Sequence, residues 1–180
     1  MTHKGQIVEI PKQAEVYKKP MSSFTSWEAE LKFKSEPLPY SLFDGFLVGE
    51  HYGLDEFNLG QRKGINVGGK DKPLYVIAKN LEQNQLFVGA GLDHPGLQRE
   101  VLRLSKDKVQ WSPNLSISEI IHLHGQRVEL FFKEEESMHL ADFFLFENDI
   151  YFKFQQKIHL SMINHKAKVL FNHQLILEFN

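Results

Sequence analysis

The chain has 180 residues, 42% apolar and 24% charged, with a net charge of −2. That length fits one ordinary domain or two small ones, and the composition excludes a disordered chain. Cysteine is absent, which removes disulfides, thiolate metal sites, thiol nucleophiles and persulfide carriers together.

There is no apolar run of about 18 residues, and Met1-Thr2-His3-Lys4-Gly5 lacks a signal-peptide core. The expected compartment is the cytoplasm, with no membrane partner. Charge is balanced along the chain: 12 bases against 13 acids in residues 1–100, and 9 against 10 in 101–180. This argues mildly against strong autonomous nucleic-acid binding, because phosphate neutralisation supplies most non-specific affinity. Two stretches depart from the balance. Residues 57–81 hold Arg62, Lys63, Lys70, Lys72 and Lys79 against Asp71 alone, and residues 150–177 hold Lys153, Lys157, Lys166 and Lys168 with no acid. A solvated strand face and a phosphate-facing one are equally open readings of both.

Apolar alternation with period two dominates the pattern, and 15 phenylalanines suit a pleated surface. Gln6–Ile10 predicts a strand ending at Pro11. Residues 11–40 read as irregular, with four of the seven prolines, and one weak helix from Ser26 to Leu31, with Thr25 and Glu28 suggesting a capping box. Strands are predicted over Leu42–Val48, Leu74–Lys79 and Gln85–Gly89, the last two joined by a hairpin loop at Asn80–Asn84. Then come Val101–Leu104, with Val109–Trp111 continuing its face after a turn at Lys106-Asp107. Val128–Phe132, His139–Phe146, Ile150–Phe154, Lys168–Phe171 and Leu175–Phe179 follow. Glu147-Asn148-Asp149 and Asn172-His173 read as tight turns. Such spacing predicts sandwiches or small barrels, with the cleanest boundary at Gly89–Gly96.

The densest motif is Gly60-Gln61-Arg62-Lys63-Gly64-Ile65-Asn66-Val67-Gly68-Gly69, four glycines in ten residues beside two phosphate-competent cations. No Ser or Thr follows Lys63, so it is not a Walker loop, and a surface hairpin is favoured over a ligand loop. Asp93-His94-Pro95 reads as turn chemistry before an acid–base pair. His122-Leu123-His124 would put two imidazoles on one strand face, yet metal binding needs further ligands and no cysteine exists, so no metal and no cofactor are expected. Glu134-Glu135-Glu136 reads as a solvated turn. In Phe131-Phe132 and Phe143-Phe144 one ring of each pair belongs to the core, leaving the other for packing or base stacking. No hydrolase triad spacing and no Rossmann fingerprint is present.

The order and spacing of Asp44-Gly45-Phe46-Leu47-Val48-Gly49-Glu50-His51-Tyr52-Gly53-Leu54, Asn58-Leu59-Gly60-Gln61-Arg62-Lys63-Gly64 and Val67-Gly68-Gly69 resemble the central domain of tRNA-specific 2-thiouridylases. The likeness continues through Pro73–Ile77 and Asn84–Gly89 to Asp93-His94-Pro95-Gly96-Leu97. From Val109-Gln110-Trp111 onward the chain resembles that family's C-terminal barrel more faintly. The resemblance implies an all-β fold of two small barrels: a PRC-barrel-like domain over 41–97, then a barrel over 98–180 similar to domain 2 of elongation factor Tu and to aminomethyltransferase barrels. Residues 1–40 would be an N-terminal strand and linker. In that family an ATP-pyrophosphatase lobe adenylates the wobble uridine of tRNA, cysteines carry the sulfur, and the β-lobes help hold tRNA.

This sequence lacks the family's phosphate loop and its cysteines, so no catalytic residue is assigned. It also departs from the family at Phe131-Phe132-Lys133, at Asn164-His165-Lys166 and at Glu178-Phe179-Asn180. Replacing an arginine fork with phenylalanine loses a bidentate grip on phosphate. The expected RNA contacts are Gln61, Arg62, Lys63, Lys70, Lys133, Lys166 and Lys168, framed by Gly60, Gly64, Gly68, Gly69, Asp93, His94 and Pro95. Three readings follow: a tRNA-binding module without catalysis of its own, a module docking a separate catalytic protein, or a portion of a longer sulfurtransferase. Met1 is compatible with an independent gene.

Overall fold

A computed structural model describes residues 4–18, 23–135 and 137–179. Met1-Thr2-His3, Pro20, Glu136 and Asn180, each part of a sequence expectation, lie outside them. The chain divides into two compact units, one of residues 1–23, 37–98 and 159–161, the other of 24–36, 99–158 and 162–180.

The first unit is built on a four-stranded sheet. Its strands are β1 (Gly5–Glu9), β2 (Phe46–His51), β3 (Leu74–Asn80) and β4 (Gln85–Ala90), in the order β2-β1-β4-β3. β1 runs antiparallel to β2 and parallel to β4, and β3 and β4 form an antiparallel hairpin. The hairpin turns where expected: Asn84 adopts φ 53°, and the Gln83 N–H donates to Asn80 Oδ1 at 3.0 Å.

Residues 74–78 and 85–89 are buried without alternation, because both sheet faces are covered. On one face Ile7, Val76, Leu86 and Val88 pack under Leu54, Phe57 and Ile65. On the other, Phe87 meets Tyr40, whose hydroxyl bonds that of Tyr17 at 2.8 Å. The expected strand over Leu42–Val48 is shorter at its start. Leu42–Asp44 is a 3-10 turn, because Ser41 and Asp44 close a capping box that claims those backbone donors.

The second unit is a seven-stranded sheet. It comprises β5 (Gln98–Ser105), β6 (Val109–Trp111), β7 (Arg127–Phe132), β8 (Met138–Leu145), β9 (Asp149–His159), β10 (Ala167–Phe171) and β11 (Gln174–Phe179), in the order β5-β9-β8-β7-β10-β11-β6. Laid flat, such a sheet would be roughly 29 Å wide. Its two end strands are joined only by Lys106–Lys108, which spans about 14 Å at full extension. The sheet therefore curls towards closure, as a barrel does. Although the two runs stand at opposite ends of the strand order, Leu102 and Leu104 face the same core as Val109 and Trp111, as expected of a continued face.

Phe132, Phe143, Phe152 and Phe179 fill the core, while Phe131 is exposed and Phe144 lies edge-on to Trp27. At the β10–β11 turn Asn172 and His173 have φ of 50° and 64°, the left-handed pair that a two-residue hairpin requires. The all-β expectation holds.

Two short helices belong to this unit. α1 (Trp27–Ser35) is capped by Ser26, whose Oγ accepts from the Ala29 N–H at 3.1 Å, rather than by Thr25. Glu28 and Glu30 sit in its first turn and Lys32 and Lys34 in its last, complementing the helix dipole. Pro37 disfavours a helical Glu36 and stops it. Its Leu31 is buried against Val101 and Tyr151. α2 (Ile117–His122) is closed by a reciprocal Ser116–Glu119 cap. With His122 in this helix, the condition for a shared strand face is not met: His122 Nδ1 meets the Ser118 carbonyl and His124 Nδ1 that of Leu145. No group of three metal-competent side chains occurs among the described residues.

Candidate nucleic-acid interface

The glycine-framed segment is a loop of turns with no strand ladder of its own, which corrects the hairpin reading. The reason lies in its apolar residues. Ile65 is buried in the core, with Leu59 and Val67 against it, so the segment drapes over the sheet instead of folding back on itself. Its entry is held by the outer edge of β3. The Gly60 N–H donates to the Val76 carbonyl at 2.8 Å, and the Val76 N–H donates to the Gln61 carbonyl at 2.9 Å. Lys79 anchors the preceding stretch by donating to the Phe57 and Leu54 carbonyls, at 2.8 and 3.3 Å.

Gly60 adopts φ 80°, and a Cβ there would lie 2.6 Å from the Ser161 nitrogen, so no other residue fits. A Cβ on Gly68 or Gly69 would meet nothing within 4 Å, and Gly64 turns the chain at φ 85°. The Gln61 amide is spent inside the loop. Its Oε1 accepts from the Asn58 N–H at 2.9 Å, and its Nε2 donates to the Lys63 carbonyl at 2.7 Å. Arg62 and Lys63 thus project from a stapled turn. Both are exposed and neither makes an ion pair among the described residues. Lys70 differs, being paired with Glu9.

Asp93 and His94 point to different tasks. Asp93 pairs with Lys12, whose hydrogen bond holds the carboxyl below the usual range. His94 is buried, its Nε2 donating to the Ile10 carbonyl at 2.9 Å and its Nδ1 accepting from the Gly96 N–H at 3.2 Å. Burial pushes its pKa down, so the ring stays neutral. Pro95 opens the 3-10 turn Pro95–Leu97. These three residues tie β4 to β1 and to the turn.

In the second unit Lys133 and Lys166 are exposed and joined through backbone, the Lys133 N–H donating to the Lys166 carbonyl at 2.8 Å. Glu134, beside them, lies 3.4 Å from His165. Lys168 pairs with Glu178 at 3.3 Å and sits opposite Phe131 across the ladder. Lys153 stands 4.8 Å over the Trp27 ring. Lys133, Lys157 and Lys166, like Lys32, Lys106 and Lys108 of the same unit, make no ion pair among the described residues.

Residues 39–90, which contain this loop, match the family model of the tRNA methyl transferase PRC-barrel domain. The chain carries that PRC-barrel domain. Beyond it, the chain is 33% identical over 155 residues to the tRNA-specific 2-thiouridylase of Flavobacterium johnsoniae, covering 84% of this chain and 38% of that protein. The corresponding protein of Christiangramia forsetii is 40% identical over 107 residues, 59% of this chain and 27% of its own length. That of Karelsulcia muelleri is 32% identical over 152 residues, 84% of this chain and 36% of its own. The likeness thus extends past the PRC-barrel domain, and the chain spans less than two fifths of the length of these relatives.

Sequence reasoning missed one surface. Phe43, Phe46 and Leu47 are 99%, 67% and 62% exposed on and beside β2, an end strand of its sheet. The Ser41-x-x-Asp44 spacing was the available signal, since it ends the turn and turns Phe43 outward.

Proposed function

We propose that this chain is a tRNA-binding module of wobble-uridine thiolation that performs no sulfur transfer by itself. The observation that carries the reading is the stapled turn, which presents Arg62 and Lys63 to solvent with no ion pair of either among the described residues. An Arg–phosphate contact is directional and a Lys contact is a point charge, so the pair suits a nucleic-acid backbone. The absence of cysteine leaves no carrier for sulfur. Lys133 and Lys166 are the proposed contacts of the second unit, with Lys70 and Lys168 partly neutralised by Glu9 and Glu178. Filter binding to tRNA at two salt concentrations tests this, with each phosphate contact steepening the log–log salt slope by about one unit. No retention at low salt would rule it out.

A second reading, docking of a separate protein, is favoured by Phe43, Phe46 and Leu47. Contiguous exposed apolar side chains on an end strand mark an interaction surface more often than chance exposure does. Co-purification with the tagged chain and with a Phe43→Ser/Phe46→Ser variant tests it. The same proteins recovered with both would dismiss it.

A further inference from the structure

The second unit holds a cleft of about 610 Å³ between α2 and the β10–β11 hairpin, lined by none of the proposed RNA contacts. Leu123 and Ile176 are buried at its base, and Phe171 forms part of the wall. Around these apolar groups stand three side-chain amides, Gln126, Asn172 and Gln174. All three are exposed, and no hydrogen bond of their side chains occurs among the described residues. Asn172 is set in place by the left-handed turn it shares with His173.

Glu119 adds a fixed acceptor. Both the Ser116 N–H and the Ser116 hydroxyl donate to its Oε2, at 2.8 and 2.6 Å, which leaves Oε1 available. Among the described residues no lysine or arginine lines the cleft. The one histidine among the described lining residues, His122, has Nδ1 against the Ser118 carbonyl at 2.6 Å.

This chemistry selects a class of ligand. A phosphate would meet a carboxylate and no compensating cation, so anions are disfavoured. A purely apolar ligand would strand the amides, each of which carries both a donor and acceptor capacity. A planar, neutral heterocycle with an apolar face and a mixed donor–acceptor edge satisfies all of these groups. Base edges have this pattern, and Asn, Gln and Glu side chains read them. The volume lies within the range of small-molecule sites.

We infer that this cleft is a site for one unpaired nucleobase, read by Gln126, Asn172, Gln174 and Glu119 over an apolar floor. That the base belongs to an RNA strand rests on the tRNA reading, whereas the chemistry of the cleft does not.

Nitrogen–proton correlation spectra of the full chain, titrated with adenosine, cytidine, guanosine and uridine, test the inference. Nucleosides are expected to shift resonances of residues 115–126 and 171–176. Gln126→Leu and Gln174→Leu, both at exposed positions, should each weaken that response about tenfold while leaving the rest of the spectrum in place. Cytidine 5′-monophosphate should bind no more tightly than cytidine. The inference is overturned if no nucleoside shifts these resonances at millimolar concentration, if both leucine variants respond unchanged, or if the monophosphate or spermidine is preferred. A short single-stranded oligocytidylate distinguishes the source: if free cytidine binds and the oligomer does not, the RNA origin falls. The Arg62→Ala/Lys63→Ala variant separates the two proposals, since it should lose tRNA and keep nucleoside binding.

Discussion

Gly60 shows how one residue can hold a surface loop. It combines φ 80° with a backbone neighbour, the Ser161 nitrogen, where its Cβ would be, so relief by side-chain rotation is impossible. Gly60→Ala is expected to cost about 2 kcal/mol or more in urea unfolding. Gly68→Ala meets open space and should cost under about 1 kcal/mol. Equal costs would show that the loop does not lean on Gly60. At His94 the effect is one of pH. Its folded pKa is depressed below 6.5 by burial, so the unfolded chain takes up the proton first. The resulting stability is fully present above pH 6.5 and is lost as pH falls through the folded value. Ring resonances of His94 that titrate above 6.5 would contradict this.

Among the elements, α1 is the one whose formation can be followed from sequence to packing. Ser26 satisfies an orphan N–H, charges of matching sign flank each end, and Leu31 supplies the buried contact. Ser26→Ala should lower stability by about 1 kcal/mol, and Leu31→Ala by about 2–5 kcal/mol, both measured by urea unfolding. A smaller loss for Leu31→Ala would mean that the helix is held by its ends alone. The helix, the β3–β4 hairpin and the Asn172-His173 turn were legible because their signals act over three or four positions, although the cap is Ser26 and not the expected Thr25. α2 was not. No element was expected over Ile117–His122, because the Ser116–Glu119 box that starts this helix was not picked out from the sequence.

For the whole molecule, a net charge of −2 means that long-range attraction will not compensate for weak local contacts. The proposed tRNA binding should therefore rest on few cations and show a shallow log–log salt slope of about one unit per contact. Arg62→Ala is expected to reduce the log–log salt slope by about one. Lys70→Ala, which removes a charge already paired with Glu9, should alter it by much less. If the two variants behave alike in filter binding, the stapled turn has no special role.

Read alone, the sequence determined the all-β class, the positions of most strands, the glycine-framed basic motif and the lack of any thiol chemistry. These follow from period two, local turn preferences and composition, all of which act between near neighbours in the chain. Only the tertiary structure decided which cations are free. Glu9 and Glu178 reach Lys70 and Lys168 through folding, and Gln61 turned out to staple its own loop. It likewise exposed Phe43 and Phe46 and gathered residues 115–126 and 171–176 around one cleft. Charge compensation, burial and cavities depend on residues far apart in sequence, and such pairings leave no periodic trace along the chain.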